Sequence, residues 1–123
     1  HHMDNEIGIL YGASHGAGLA LLFPYWMEYA MKTQGPTLFA KYATRVWGCQ
    51  MDFEHPELTA MEGIKAFQDF VREMGMPTHI SELGGKAEDI PKMVENMFHG
   101  APNHGNFVKL TPEIAAEIYR MAL

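Results

Sequence analysis

The sequence predicts an all-α domain, a helical bundle of about six helices. Apolar residues recur at three- and four-residue spacing in six stretches, and glycine or proline punctuates the chain between them. No stretch reads as a confident strand, since even Phe107-Val108-Lys109-Leu110 is too short to argue for a sheet. At 123 residues and 47% hydrophobic the chain can build one core, burying about two thirds of its unfolded surface. One domain, residues 1–123, is expected.

The first helix runs from about His2 to Tyr11, with Ile7, Leu10 and Tyr11 on one face and Gly12 as its stop. The second, from about Gly16 to Lys32, is apolar around nearly its whole circumference and should be the central, most buried helix. Within it, Gly16 and Gly18 allow a backbone or ligand to come close, and Pro24 deletes the hydrogen bond to the carbonyl of Ala20 and should bend the axis. After the break at Gln34-Gly35-Pro36, Thr37 is placed to cap a third helix through Trp47, with Phe39, Ala43 and Trp47 along one stripe.

Pro56 suits the first turn of a long fourth helix reaching Met74, with Leu58, Met61, Ile64, Phe67, Phe70, Val71 and Met74 in helical period and Gly75 as its carboxyl cap. One helical turn is expected at Ile80 to Leu83. A fifth helix uses Ile90, Met93, Val94, Met97 and Phe98, with Pro91 accepted in its first turn. The last helix opens on Thr111-Pro112-Glu113, a hydroxyl cap, a proline pre-set for the first turn and an acid near the positive dipole end; Ile114, Ala115, Ile118 and Met121 bury it.

Composition narrows the function. Nine Lys and Arg against fifteen Asp and Glu give a formal charge of -6 with no basic stripe, so no nucleic-acid partner is expected. The lone Cys49 excludes an internal disulfide framework and is read as structural, and no signal peptide is evident, which points to a cytoplasmic setting. The longest apolar run, Leu19 to Met27, is interrupted by Pro24 and is far short of the roughly 20 residues that span a bilayer, so no membrane role is expected. The glycines form no phosphate cradle after a strand, so no nucleotide fingerprint is present.

His15 is the leading candidate for a site. It stands at a helix start between Ser14 and Gly16, where an imidazole can point outward; the alternative is a capping or core histidine satisfied by a carbonyl. His1 lies fourteen positions earlier, far enough for the second helix to fold back and bring both rings to one cation. Two imidazoles would fill only part of a divalent metal's ligand set. His55 and His79 read as a residue preceding a helix and a surface-loop residue. His99 and His104 flank Gly100-Ala101-Pro102-Asn103, a loop pair that could take a metal adventitiously. The ten methionines read as core packing, with Met27, Met61, Met74, Met93 and Met97 on apolar faces rather than in a copper cluster.

His1, Ile7, Leu10, Tyr11, the run Ser14-His15-Gly16-Ala17-Gly18-Leu19-Ala20 and the continuation Leu22-Phe23-Pro24-Tyr25-Trp26-Met27 resemble the iron-containing alcohol dehydrogenases, in their butanol dehydrogenase-like branch. Gly105 to Thr111, followed by Ile114, Glu117, Ile118 and Tyr119, is similar to that family's closing helix. The resemblance spans essentially the whole chain. It implies the carboxyl-terminal part of the helical metal-binding domain of a dehydroquinate synthase-like fold, with the nucleotide-binding α/β domain absent.

By the same resemblance the metal is held by an aspartate and three histidines, of which His1 and His15 match the second and third. The metal would be Fe2+, with Zn2+ the alternative, and NAD or NADP would bind through the absent domain. The implied reaction interconverts small primary alcohols and aldehydes. Asn5 stands where the family carries a further histidine close to substrate and nicotinamide, and an amide cannot relay a proton as imidazole does. Phe23, Tyr25 and Trp26 are candidates for the core beside the pocket. The chain alone is expected to be inactive and to form a homo-oligomer. Two other readings are a helical interaction module without catalysis and a zinc polyol enzyme of the glycerol dehydrogenase type. His1-His2-Met3 could also be the end of a purification tag, which would leave His1 without function; the fit of His1, Met3 and Gly8 to the family pattern favours native sequence.

Overall fold

A computed structural model describes residues 2–99 and 109–123. Six helices follow in order: α1 (His2–Tyr11), α2 (His15–Gln34), α3 (Thr37–Trp47), α4 (Pro56–Glu73), α5 (Ile90–Phe98) and α6 (Pro112–Ala122). Two tight 3-10 turns, Ile80–Leu83 and Ala87–Asp89, connect α4 to α5. Among the described residues the only extended feature is an isolated bridge at Leu110, so the all-α prediction holds.

The expected central helix is central because it serves two cores. Leu21, Leu22 and Tyr25 of α2 pack with Met3 and Ile7 of α1, Met93, Met97 and Phe98 of α5, and Ile118 and Tyr119 of α6. Met27 and Ala30, on the other flank of α2, join Phe39 and Ala40 of α3 and Ala60 and Ile64 of α4. Pro24 is buried inside a helix that continues across it to Gln34. No helix is long and apolar enough to cross a membrane, among the described residues.

Several sequence expectations need correction. Thr37 does not cap α3: it is the first helical residue, and Pro36 occupies the cap position with no side-chain bond. The seven-residue stripe assigned to α4 is too wide for one face. Leu58, Met61, Phe70 and Met74 are exposed, and the buried positions are Thr59, Ala60, Gly63, Ile64 and Val71. The reason is Gly63, where an added Cβ would lie 2.9 Å from the Cα of Ala43. Backbone-close packing against α3 sets the rotation of α4 and turns the larger side chains outward. Met61 and Met74 are therefore exposed, whereas Met27 packs in one core and Met93 and Met97 in the other, and Leu10 of α1 is 39% exposed.

Candidate metal centre

The first two helices form a tight hairpin. Gly12 N–H donates to the Gly8 carbonyl (3.0 Å) and takes φ +72°, a left-handed turn that a Cβ would strain. Ser14 then caps α2 from an extended conformation, its Oγ accepting from Ala17 N at 3.3 Å. That cap makes His15 the first residue of α2. A side chain there leans back over the turn that precedes it, toward α1.

What it meets is Asp4. The Nδ1 of His15 pairs with the Oδ2 of Asp4, a residue only 2% exposed, whereas the histidine ring is 57% exposed. The other carboxylate oxygen, Oδ1, is sealed from solvent and accepts no hydrogen bond. It lies in a slot left by Gly18, one helical turn beyond His15, where any Cβ would collide with Oδ1 and come within 3.1 Å of the carboxylate carbon. Glycine at 18 is thus what admits a carboxylate between α1 and α2.

The two ends of α1 are pinned to α6 and to the 3-10 turn that precedes α5. The fully buried Tyr119 of α6 donates its hydroxyl to the Met3 carbonyl at 2.8 Å, which fixes the turn carrying Asp4. Burial drives the ionisation of that phenol far above its ordinary range, with the nearby Glu6 and Asp4 carboxylates acting the same way. At the other end Tyr11 donates to Asp89 Oδ2 at 2.8 Å. Burial first, then the bond and charge of Asp89, push Tyr11 up to about 12, and the same bond lowers Asp89.

Of the residues singled out from sequence, His15 is exposed and held at Nδ1, as a ligand would be. Asn5 is exposed on α1, next to the buried Asp4. His1 and His104 lie outside the described residues. His55 precedes α4 as expected. His79 is a partly exposed loop residue as expected, its side chain 43% exposed and its Nδ1 3.1 Å from Thr78 Oγ1. Tyr25 is buried and donates to the Thr78 carbonyl at 2.6 Å, while Phe23 is 40% exposed and packs edge-on to Phe67. Burial raises the Cys49 thiol, in keeping with a structural residue. Asp4 was not among the sequence candidates, although its spacing from Ile7 and Tyr11 puts it on the buried stripe of α1.

A divalent ion is the group this arrangement can be tested against. An imidazole held at Nδ1 by a buried carboxylate presents Nε2 as the donor, the usual support of a metal-ligating histidine. Among the described residues no three His, Cys, Asp or Glu side chains gather into a site. The residues therefore fit as one ligand with its support, belonging to a larger donor set. An open cleft of about 610 Å³ beside Asp52, Phe53, Thr59 and Glu62 shares no residue with it.

Residues 1–123 match the family described as Fe-containing alcohol dehydrogenase, C-terminal. The chain is 30% identical over 122 residues to the NADH-dependent butanol dehydrogenase B of Clostridium acetobutylicum, covering 98% of this chain and 30% of that protein. It is 27% identical over 123 residues to the NADPH-dependent aldehyde reductase YqhD of Escherichia coli, again across 31% of the relative. The crystal structure of the NADH-dependent butanol dehydrogenase A of Thermotoga maritima superposes with a TM-score of 0.86 at 30% identity, over 99% of this chain and 32% of that one. The chain thus spans about a third of the length of the relatives it matches.

Proposed function

This chain belongs to the Fe-containing alcohol dehydrogenase family, and from that premise we propose that it is part of the helical metal-binding domain of an NAD(P)-dependent oxidoreductase acting on small primary alcohols and aldehydes. The observation that carries the proposal is the exposed His15 ring held through Nδ1 by the buried Asp4. When bound, a divalent ion supplies Lewis-acid polarisation of the alcohol oxygen. In this reading His15 is one ligand and His1 a second, with Fe2+ the metal and Zn2+ the alternative. The nicotinamide nucleotide binds to an α/β domain beyond this chain, in a protein of the cytoplasm.

The chain's own residues have limited tasks in that chemistry. His15 fixes where the reacting oxygen is held. Asn5, exposed one residue from Asp4, hydrogen-bonds substrate without titrating near neutrality, so proton movement past that position falls to other groups. Tyr25, buried in α2 and tied to the Thr78 carbonyl, anchors the helix that bears His15.

The test is a chimera in which residues 1–123 replace the matching segment of the C. acetobutylicum butanol dehydrogenase B. With iron(II) or zinc, butanal and NADH or NADPH, it should oxidise the reduced cofactor, and His15→Ala should abolish this; the chain alone should show no turnover. Retained activity in the His15→Ala chimera would refute the assignment.

A second reading has its own observation. Leu38 and Val46 of α3, Phe53, Leu58 and Phe70 of α4, and Met74 just past its end are between 48% and 89% exposed, the kind of apolar surface that favours association. In that reading the chain is a helical interaction module. Oligomerisation by sedimentation that is unchanged by chelator, with no metal bound, would favour it over the metal domain.

A further inference from the structure

We propose that Asp4 is the positioning residue for His15, with Gly18 as its socket: the carboxylate fixes the proton on Nδ1 and turns Nε2 outward as the metal donor. This rests on reading His15 as a ligand and adds how the ligand is held.

The geometry assigns each part. Oδ2 faces His15 Nδ1, and a carboxylate can only accept there, so Nδ1 carries the hydrogen and Nε2 the lone pair. Oδ1 faces Gly18 and is sealed. Both oxygens are therefore committed inward, which makes Asp4 a support rather than a metal ligand. Tyr119, through the Met3 carbonyl, holds the backbone turn from which the carboxylate projects.

Stability does not explain the arrangement. A sealed carboxylate oxygen without a partner is a liability, and a pair whose second member is more than half exposed to water offsets little of it. Packing alone would favour an apolar residue at position 4, in line with Ile7. A buried acid aimed at one nitrogen of an exposed imidazole is what a ligand-orienting role requires.

Two substitutions that leave every donor in place test this. Asp4→Asn replaces the charged acceptor by a neutral amide; Gly18→Ala expels the carboxylate from its socket, and the far-ultraviolet circular dichroism of both variants is matched to wild type before they are compared. The chain, labelled with 15N in its histidine rings, is followed by NMR at a pH where imidazole is neutral, then titrated with zinc(II) alone. Expected for the wild type are the Nδ1–H tautomer of His15 and a zinc-dependent shift at its Nε2. Both variants should shift the tautomer toward Nε2–H and bind zinc at His15 roughly 10- to 100-fold more weakly. Zinc binding within about threefold of wild type in both, with the tautomer unchanged, would overturn the positioning role while leaving His15 a ligand. No response of wild-type Nε2 to zinc, with a tautomer that still depends on Asp4, would instead remove the metal reading and leave a bare ion pair.

Discussion

Replacing Asp4 by asparagine should leave the metal-free chain at least as stable as the wild type, and more stable by about 1 kcal/mol. Asp4 is 2% exposed and its Oδ1 has no partner; a buried unsatisfied polar atom costs about 1–3 kcal/mol, more when charged. The opposing gain is the pair with His15, whose ring is 57% exposed, and such a water-screened pair contributes about 0–1 kcal/mol. The difference is a net cost of about 0–3 kcal/mol, centred at about 1.5. Asparagine keeps the shape and carries no charge; with its oxygen in the slot beside Gly18 and its NH2 donating to Nδ1, the sealed atom is neutral, so part of that cost disappears. For a chain of 123 residues, an unfolding entropy of about 0.26 kcal/mol per degree converts 1 kcal/mol into about 4 °C of Tm. Thermal and urea unfolding in the presence of chelator, followed by circular dichroism, measure it. A loss of more than about 1 kcal/mol would show that the carboxylate holds the two helices together, and the reasoning that assigns it to a ligand would fail.

Other consequences follow from the packing and the phenols. Tyr119→Phe removes the donor to the Met3 carbonyl, and because that carbonyl retains its own helical partner the loss should be near 1 kcal/mol, about 4 °C in Tm; an unchanged Tm would mean the bond does not anchor α1. Gly63→Val drives a branched side chain into Ala43 across the α3–α4 contact and should cost about 2–3 kcal/mol in urea unfolding; wild-type stability would contradict the close approach. Tyr11, held up to about 12 in the fold against 10.0 ordinarily, stays protonated after an unfolded chain's tyrosine has ionised. Its contribution is fully present below pH 10 and is lost as the pH rises to about 12. Tyr11→Phe should therefore flatten the fall in stability over that window, and an unaltered slope would refute the assignment.

The six helices were legible because their signals are local. Thr111 caps α6 through Ile114 N at 3.3 Å, Gly12 ends α1 with a positive φ, and Pro56 and Pro112 sit in first turns where a missing N–H costs nothing. What failed depends on contacts distant in sequence. Periodicity gave α4 a stripe of seven apolar residues, but which part of a stripe is buried is decided by the partner, and Gly63 against Ala43 rotated it. His15 was legible as a candidate from its place at the start of α2 and from the family pattern. Its support was not: Asp4 is an ordinary first-turn acid when read along the chain. It becomes informative only when its spacing from Ile7 and Tyr11 is taken to mean burial, and when Gly18 is recognised as the room that burial needs.

Crystals of the chain soaked in zinc(II) and measured at the zinc absorption edge would place the ion. The account expects an anomalous peak about 2.0–2.1 Å from His15 Nε2, with Nδ1 still on Asp4. A peak elsewhere with none at His15, or a His15 ring turned so that Nδ1 meets the ion and Asp4 is released, would contradict it.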